Sequence, residues 1–314
     1  MTKTKAKVLS TGCSAIDGLM FGGLPLGAPS LLFGMSNLGK TWFSFQVACM
    51  CVRDAKYGGL NKKALYFDTE SFFTPAIVDL FWDYFEKRWP DLKGKKDMIE
   101  IVRVPDIFKL MRQFGVALTI IQENKRVSVV TKFPTSRQRA LARSGKSKLK
   151  ETTQSSGWLI ESPVWKRFKD ENYGLMIIDS MTVPIKSQIP SLTQNFPARA
   201  TILTHLLGTF YSLAISFDAA ILVTDHISQN PQDPYSKYGK GNPWGGSNVT
   251  YYIKHQFGLF PSIKEQREKY PLDAKRLRRI SLHRMPGREV KMALVKLEKD
   301  TGYVDVEKTG VQPA

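Results

Sequence analysis

The chain has 314 residues, 42% of them hydrophobic, which is enough for one large domain or two small ones with an ordinary core. No uninterrupted apolar run approaches the roughly 20 residues of a membrane span, and the lysine-containing start lacks the apolar core of a signal peptide. We therefore expect an intracellular protein without a membrane partner. The net charge of +18 suits a polyanion such as nucleic acid, with a general solubility bias as the alternative.

The cysteines do not form a disulfide framework. There are three of them, Cys13, Cys49 and Cys51, and the last two are two positions apart on a predicted helix, where side chains diverge. Neither they nor the four histidines have metal-ligand spacing. We predict buried free thiols.

A glycine-bounded loop near the start of the chain is the strongest motif. An apolar run at 31–33 precedes it and a helical pattern at 42–48 follows it, so the order is strand, loop, helix. Such a loop presents successive backbone N–H groups and a helix N-terminus to phosphates. Lys40 would reach the outer phosphates and the Thr41 hydroxyl would bind Mg²⁺. The predicted nucleotide-binding residues here are Gly34, Met35, Ser36, Asn37, Leu38, Gly39, Lys40, Thr41 and Trp42.

The next predicted strand, 63–67, ends in Asp68-Thr69-Glu70. Ligand-facing residues of open α/β sheets collect at the carboxyl ends of strands. Glu70 is therefore a candidate for orienting or deprotonating the water that attacks a nucleoside triphosphate. The alternative is that both acids cap the following helix, but Thr74 can supply that cap alone.

The pattern then predicts a helix at 76–88, a strand at 99–104 and a helix at 107–122. Beyond these, residues 124–169 contain twelve lysines and arginines against two glutamates and few apolar residues in their middle. We predict a basic, mobile insertion there, either a solvated surface segment or a nucleic-acid-binding arm.

A regular pattern resumes with an apolar run at 173–178 that is followed by Asp179. This is the pattern of a buried strand that places an acidic side chain beside a bound metal. A polar, proline-punctuated loop at 184–197 and a helix at 198–215 follow. The next predicted strand, 219–224, precedes Asp225-His226. His226 is placed to sense the terminal phosphate, although a lone histidine is more often structural.

The segment 228–246 contains too many glycines and prolines for a regular element, yet it alternates aromatic residues with lysines. Aromatic rings interspersed with cations are typical of single-stranded nucleic acid binding, and we favour that role over a disordered linker. The candidate contacts are Tyr235, Lys237, Tyr238, Lys240 and Trp244. A strand at 249–260, a hairpin of 276–284 with 289–298, and a last turn and strand at 299–304 complete the prediction.

In order, these motifs resemble the ATPase core of the RecA/RadA recombinase superfamily, most closely its archaeal RadA type. The resemblance runs from about residue 10 to 305, interrupted by the insertion, and includes Ser10-Thr11-Gly12 and Gly245-Gly246. It implies an α/β fold over residues 1–314 as one domain: a P-loop core with a mostly parallel sheet, helices on both faces and a C-terminal β-hairpin extension.

The resemblance also implies ATP and Mg²⁺ as ligands, with the metal on Thr41 and Asp179 and with Glu70 and Lys40 as catalytic residues. It implies that loops at 184–198 and 228–247 bind single-stranded DNA, with double-stranded DNA as a second form, in a nucleoid-associated protein. ATP would lie between protomers of a homo-oligomer or beside a recombinase partner, and the hairpin around 279–286 would close over it from the next protomer.

Three departures from the family pattern stand out. Asp225-His226 replaces the usual Asn-Gln, although phage recombinases tend to carry a histidine there, and the first DNA loop lacks a glycine-arginine centre, leaving Arg199 as the nearest basic match. Because only a short stretch precedes residue 10, we expect neither an N-terminal DNA-binding domain nor a subunit-docking linker, and this favours a paralog or accessory form.

Two other functions remain open at this point. A KaiC-like regulatory ATPase acting on a protein partner would share the phosphate loop and the strand ending in Asp179, but it would need neither the basic insertion nor the aromatic loop. A recombination mediator would bind DNA and a recombinase while hydrolysing ATP weakly.

Overall fold

The computed structural model describes residues 7–123, 126–132, 162–190, 192–228, 242–287, 289 and 291–306. Within these residues the strands are β1 Val8–Leu9, β2 Leu24–Pro25, β3 Pro29–Gly34, β4 Lys63–Asp68, β5 Ile99–Arg103, β6 Ala117–Glu123, β7 Arg126–Lys132, β8 Tyr173–Asp179, β9 Ala220–Ser228, β10 Asn242–Pro243, β11 His255–Pro261, β12 Leu277–Arg284, β13 Met292–Glu298 and β14 Gly302–Asp305. The helices described there are α1 Ser14–Leu19, α2 Lys40–Val52, α3 Pro75–Arg88, α4 Ile107–Gln113, α5 Pro163–Asp170, α6 Val183–Gln188, α7 Phe196–Phe217, α8 Gly246–Tyr252 and α9 Lys264–Lys269.

A large sheet forms the centre of the molecule, in the order β14-β13-β12-β11-β3-β9-β8-β4-β5. The six strands from β11 to β5 are parallel neighbours, whereas β12, β13 and β14 continue the sheet in antiparallel fashion. The fold is therefore α/β with a mostly parallel sheet and a C-terminal β-hairpin extension, as predicted.

Helices cover both faces of this sheet because its central strands are apolar on both sides. Side chains alternate along β3, so that Leu31 and Phe33 belong to one buried cluster and Leu32 to the other. The first cluster includes α4, α5, α7 and α8, and the second includes α1, α2 and α3. Cys13, Cys49 and Cys51 are buried free thiols in the second cluster, as predicted.

The parallel strands bring their carboxyl ends to one edge. Gly34 at the end of β3 pairs in register with His226 on β9, and Asp68 on β4 pairs with Asp179 on β8. Residues that are far apart in sequence thus meet along a single row at this edge, which is where the sequence predicted the ligand site.

The predicted helix at 107–122 is wrong in its second half. The helix ends at Gln113, and Gly115 adopts a φ of +72°, a left-handed conformation that ends a helix readily. The β-branched run that follows favours a strand, and Ala117–Glu123 pairs antiparallel with Arg126–Lys132. Both ends of the predicted basic insertion therefore belong to regular elements, β7 and α5, while its middle, 133–161, lies outside the described residues.

Two further predictions need correction. The loop predicted at 184–197 contains helix α6 and the start of α7, because a proline is well suited to the first turn of a helix and both helices have one there. The strand predicted at 249–260 begins only at His255, since Gly246–Tyr252 is helical and starts after Gly245 at a φ of +100°.

Helix α7 is unusually apolar. Together with the turn before it, the helix spans Thr193–Phe217 and could cross a membrane by length and composition. We did not expect such a segment from the sequence. One face of α7, including Leu206, Leu207 and Phe210, is buried in the first core cluster. These contacts are those of a core helix, which meets the same criterion.

Candidate functional site

The loop between β3 and α2 has the backbone that its glycines predict. Gly39 adopts a φ of +100°, and a Cβ atom on it would lie 2.6 Å from Leu297 Cδ2 and 2.8 Å from Tyr303 Oη. Asn37 is also left-handed, with a φ of +62°. The outer part of the loop, Met35 to Asn37, is exposed, so its backbone N–H groups are accessible to an anion.

The C-terminal strands of the same chain support this loop. The Tyr303 hydroxyl donates a hydrogen bond to the Leu38 carbonyl oxygen at 2.8 Å, and Arg278 Nε donates to the same oxygen at 3.2 Å. Burial raises the pKa of the Tyr303 hydroxyl, which therefore remains a donor at neutral pH. The C-terminal hairpin extension thus holds the loop from within one chain.

Lys40 folds back along the loop. Its Nζ atom donates to the carbonyl oxygens of Gly34 at 3.1 Å and Met35 at 2.9 Å. Burial lowers the pKa of the ammonium group, and the carboxylates of Asp179, Glu70 and Asp225 oppose that effect. The cation consequently lies where it could interact with an anion held by the loop.

Asp179, at the end of β8, is a buried hydrogen-bond acceptor. Tyr66 Oη donates to its carboxylate at 2.6 Å, and the hydroxyls of Thr224 and Thr41 also donate to it. Burial raises the pKa of the Asp179 carboxyl against these bonds, because the surroundings only partly compensate the charge. A carboxylate beside a threonine hydroxyl fits the oxygen chemistry of Mg²⁺.

The described residues were also examined for other groups of side chains that could bind a metal ion in place of Thr41 and Asp179. Across the part of the chain that the structure describes, no three His, Cys, Asp or Glu side chains are grouped so as to hold a metal ion. Mg²⁺ in nucleotide sites is held by few protein oxygens and by the phosphates themselves. Thr41 and Asp179 are the residues that would hold it.

Glu70 lies at the same edge with its side chain half exposed. The Ser180 hydroxyl donates to Glu70 Oε1 at 2.9 Å, and His226 Nε2 lies 3.5 Å from that oxygen. The hydrogen bond from His226, and then that from Ser180, lowers the pKa of the Glu70 carboxyl against the effect of burial. Glu70 is therefore ionised at neutral pH and has a fixed orientation.

The alternative reading of this segment, helix capping, applies to other residues. Thr74 accepts a hydrogen bond from the Ile77 N–H at 3.3 Å and caps α3. Asp68 accepts from the backbone N–H groups of Phe72 and Phe73 and so shapes the loop. Glu70 takes part in neither arrangement and is directed towards Ser180 and His226 instead.

Trp42, a predicted nucleotide contact, packs its ring within the protein. Its ring is stacked on Phe81 with the centroids 4.0 Å apart, and it lies 6.0 Å from the ring of Tyr84. Its indole thus fixes α2 against α3. The role of Trp42 as a nucleotide-binding residue stays a prediction.

The predicted DNA contacts divide into two groups. Tyr235, Lys237, Tyr238 and Lys240 lie outside the described residues. Arg199, beside the predicted first DNA loop, is only 5% exposed and donates to the Ile189 carbonyl oxygen at 2.6 Å. Trp244, at the end of the predicted second DNA loop, is partly buried. Their DNA-binding roles stay predictions.

Several residues of this edge were given no role from the sequence. Asp225 is fully buried, accepts from the His226 N–H at 2.7 Å, and burial raises its pKa to about 8. Ser180 directly follows Asp179, and Thr224, the last residue of a predicted strand, lies two positions before His226. Because side chains alternate along a strand, these spacings could have identified both residues. Tyr66 and Tyr303 could not have been identified in that way, since their contacts depend on tertiary packing.

These features define a class of protein: an α/β nucleotide-binding protein with a phosphate-binding loop and a strand-end aspartate on a mostly parallel sheet. The Rad51 family model matches residues 3–88, which include the phosphate loop and Glu70. The DNA repair and recombination protein RadA of Metallosphaera sedula is 23% identical over 305 residues, covering 97% of this chain and 74% of that protein. The DNA repair protein rhp57 of Schizosaccharomyces pombe is 33% identical over 98 residues, covering 31% of this chain and 27% of that protein.

These matches make the chain similar to proteins of the RecA/RadA recombinase superfamily and support its membership of that superfamily. Proteins of this superfamily are ATPases that bind ATP with Mg²⁺.

Proposed function

We propose that this protein binds and hydrolyses ATP with Mg²⁺, and that its nucleotide state controls binding to single-stranded DNA in homologous recombination or DNA repair. The observation that carries the proposal is the meeting of Lys40, Asp179 and Glu70 at one sheet edge. Lys40 bonds to Gly34, which pairs with His226, and Glu70 contacts both His226 and the residue that follows Asp179. A cation, a metal-binding acid and an ionised, oriented base are the parts that γ-phosphate hydrolysis requires.

In this mechanism the loop N–H groups and Lys40 would bind the phosphates, and Lys40 would exchange its two loop carbonyls for phosphate oxygens. Thr41 and Asp179 would hold Mg²⁺, which supplies neutralisation of charge on the phosphate oxygens. Glu70 would orient the attacking water and accept its proton. Ser180 and His226 would hold the Glu70 carboxylate in position, and His226 would also sense the terminal phosphate.

DNA as the partner is supported by three features. The net charge is +18, the relatives include a protein named for DNA repair and recombination, and Trp244 lies beside two cations at the end of the predicted second DNA loop. Stacking on aromatic rings contributes about 1–3 kcal/mol per base in single-strand binding. A protein-only switch would have no use for this combination.

The nucleotide site is tested by Lys40→Ala, with the exposed Lys93→Ala as the matched control. We expect Lys40→Ala to abolish ATP turnover while the thermal unfolding profile still shows a folded protein, and Lys93→Ala to hydrolyse ATP at the wild-type rate. Unchanged turnover in Lys40→Ala would refute the site.

Binding of a labelled oligo(dT) measured by fluorescence anisotropy tests the DNA partner. We expect affinity to fall steeply with salt, since neutralised phosphates release counterions, and to fall further in Tyr235→Ala/Tyr238→Ala. The control is Tyr57→Ala, an exposed tyrosine beyond the carboxyl end of α2. Salt-independent binding, or equal affinity in the double variant and the control, would remove the loop from the proposal.

A further inference from the structure

Gln46, on α2, is fully buried and holds the main chain of Tyr303 through both of its polar groups. Gln46 Oε1 accepts a hydrogen bond from the Tyr303 N–H at 2.6 Å, and Gln46 Nε2 donates to the Tyr303 carbonyl oxygen at 3.2 Å. Nε2 also donates to the Thr11 carbonyl oxygen at 2.8 Å. One side chain therefore fixes the position of β14 relative to the helix that begins with Lys40 and Thr41.

Two neighbours of Gln46 strengthen this attachment. Arg88 Nη1 donates to the Tyr303 carbonyl oxygen at 3.0 Å, and its Nη2 donates to the Gly12 carbonyl oxygen at 2.8 Å. Gly302 adopts a φ of +72°, and a Cβ atom on it would clash with Gln46 Oε1. Strand β14 approaches Gln46 this closely because residue 302 has no side chain.

The side chain of Tyr303 extends from this fixed main chain back to the phosphate loop. Its hydroxyl donates to the Leu38 carbonyl oxygen, which also accepts from Arg278 Nε, and its ring packs edge-on against Phe43 on α2. The contacts thus form a closed circuit, from the loop through α2 and Gln46 to Tyr303 and back to the loop.

The bonds to Leu38 determine which way one peptide group of the loop faces. A trans peptide is planar, so its C=O and N–H point in opposite directions. With the Leu38 carbonyl directed at Tyr303 and Arg278, the Gly39 N–H is directed away from the hairpin extension. Glycine accepts both signs of φ at little cost, so the peptide before Gly39 could flip easily without these donors. A flipped peptide would replace an anion-binding N–H by a carbonyl oxygen.

We propose that Gln46 is a positioning residue for nucleotide binding: by holding Tyr303, it keeps the Leu38–Gly39 peptide in the orientation that offers the Gly39 N–H to the phosphates. Strand β14 is thereby part of the nucleotide site without touching the nucleotide. Because the N–H acts on the phosphates equally before and during the reaction, its loss raises KM and leaves kcat unchanged. This inference deepens the proposed function and rests on it.

The test measures affinity for a fluorescent ATP analogue with Mg²⁺, together with KM and kcat for ATP, in Gln46→Met, Tyr303→Phe and the double variant. We expect each single variant to weaken analogue binding and raise KM about tenfold, the effect of one lost hydrogen bond, with kcat within about twofold of wild type. The double variant should lie within about twofold of the single variants, because both changes act on the same peptide.

The matched control is Gln256→Met on β11. Gln256 is as buried as Gln46, but its Nε2 donates to the Ile253 carbonyl oxygen and it has no contact with the loop. We expect this variant to bind the analogue with wild-type affinity. The comparison separates positioning of the loop from the general cost of removing a buried amide.

Two further variants guard against a folding defect in Gln46→Met. Gln46→Asn retains the amide but shortens its reach, and we expect the same rise in KM. Arg278→Met removes the second donor to Leu38 from a partly exposed position, and together with Tyr303→Phe it should weaken binding more than either change alone. Thermal unfolding of each variant shows that affinities are compared among folded proteins.

The outcomes separate this inference from the proposed function. If the wild-type protein binds and hydrolyses ATP, three results overturn the positioning role and leave the proposed function intact: wild-type affinity in a folded Gln46 variant or in Tyr303→Phe/Arg278→Met, an equal loss in Gln256→Met, or a loss of about a hundredfold in Gln46→Met/Tyr303→Phe. A wild-type protein that does not bind the analogue overturns both. A tenfold loss shared by Gln46→Met, Tyr303→Phe and their double variant supports the inference.

Discussion

His226 Nε2 lies 3.5 Å from Oε1 of Glu70, and this contact joins the carboxyl ends of two strands that are separated in the sheet by β8. Glu70 Oε1 also accepts a hydrogen bond from the Ser180 hydroxyl, so the carboxylate is held from two sides. The same histidine is bonded through its carbonyl oxygen to Trp244. One residue therefore contacts both the candidate base and the end of the predicted DNA loop.

The first prediction concerns the pH dependence of turnover. His226 is the leading cause of the lowered pKa of Glu70, and a base acts only when ionised. Replacing His226 by Ala raises that pKa, so the acidic limb of the rate profile moves to higher pH. The measurement is ATP turnover as a function of pH at saturating ATP and Mg²⁺. Ser180→Ala shifts the limb in the same direction, and limbs that coincide with wild type would show that neither residue acts through Glu70.

The second prediction concerns Glu70 itself. Glu70→Gln retains the shape and the bond from Ser180 but cannot accept a proton, so we expect turnover to fall by about 10²–10⁴-fold while ATP still binds. Turnover and binding of a fluorescent ATP analogue are measured on the same samples. Glu268→Gln, an exposed glutamate on α9, is the control. Near-normal turnover in Glu70→Gln would assign proton transfer to another group.

The third prediction is a pH dependence of stability at Asp225. Burial raises its pKa from 3.8 to about 8, against Thr182, the His226 N–H and the charges of Lys186 and Lys40. The folded protein thus holds a proton that the unfolded chain releases, and the resulting stability is lost as pH rises from about 4 to about 8.

Asn cannot ionise, so Asp225→Asn should be more stable than wild type at pH 8, with the difference disappearing towards pH 4. Denaturant unfolding at several pH values measures this difference directly. A difference that does not change with pH would show that Asp225 does not titrate in this range.

The fourth prediction concerns support of the phosphate loop. Tyr303→Phe removes the hydroxyl that donates to the Leu38 carbonyl oxygen, and Arg278 alone then satisfies it. We expect the free energy of unfolding to fall by about 1 kcal/mol and ATP affinity to weaken. Tyr211→Phe, an exposed tyrosine on α7, should change neither. Equal ATP affinity in both variants would separate the hairpin extension from the nucleotide site.

The parts of the site that could be predicted are those set by local sequence. The loop from Gly34 to Thr41 depends on glycine conformations and a strand-to-helix order that are both visible along the chain. Asp179 directly follows an apolar run and Glu70 lies three residues after one, and the ends of parallel strands meet at one edge.

The other parts of the fold and the site depend on packing between distant segments, which the sequence pattern does not show. The run after Gly115 contains β-branched residues that favour a strand, but the sequence pattern does not show the partner strand, β7, with which it pairs. Arg199 was selected as the nearest basic residue to a loop, yet its guanidinium is buried against Trp244. Asp225 was named in the sequence but given no role of its own, because burial, which determines its pKa, is a property of the folded chain.

The central claim is that the edge formed by Lys40, Asp179 and Glu70 hydrolyses ATP under the control of DNA. The most direct measurement is steady-state phosphate release from ATP and Mg²⁺, with and without single-stranded oligo(dT), for the wild-type protein. We predict turnover that increases when the DNA is added and that is absent from Lys40→Ala under both conditions. Turnover that is indifferent to DNA, or that persists in Lys40→Ala, would contradict the account.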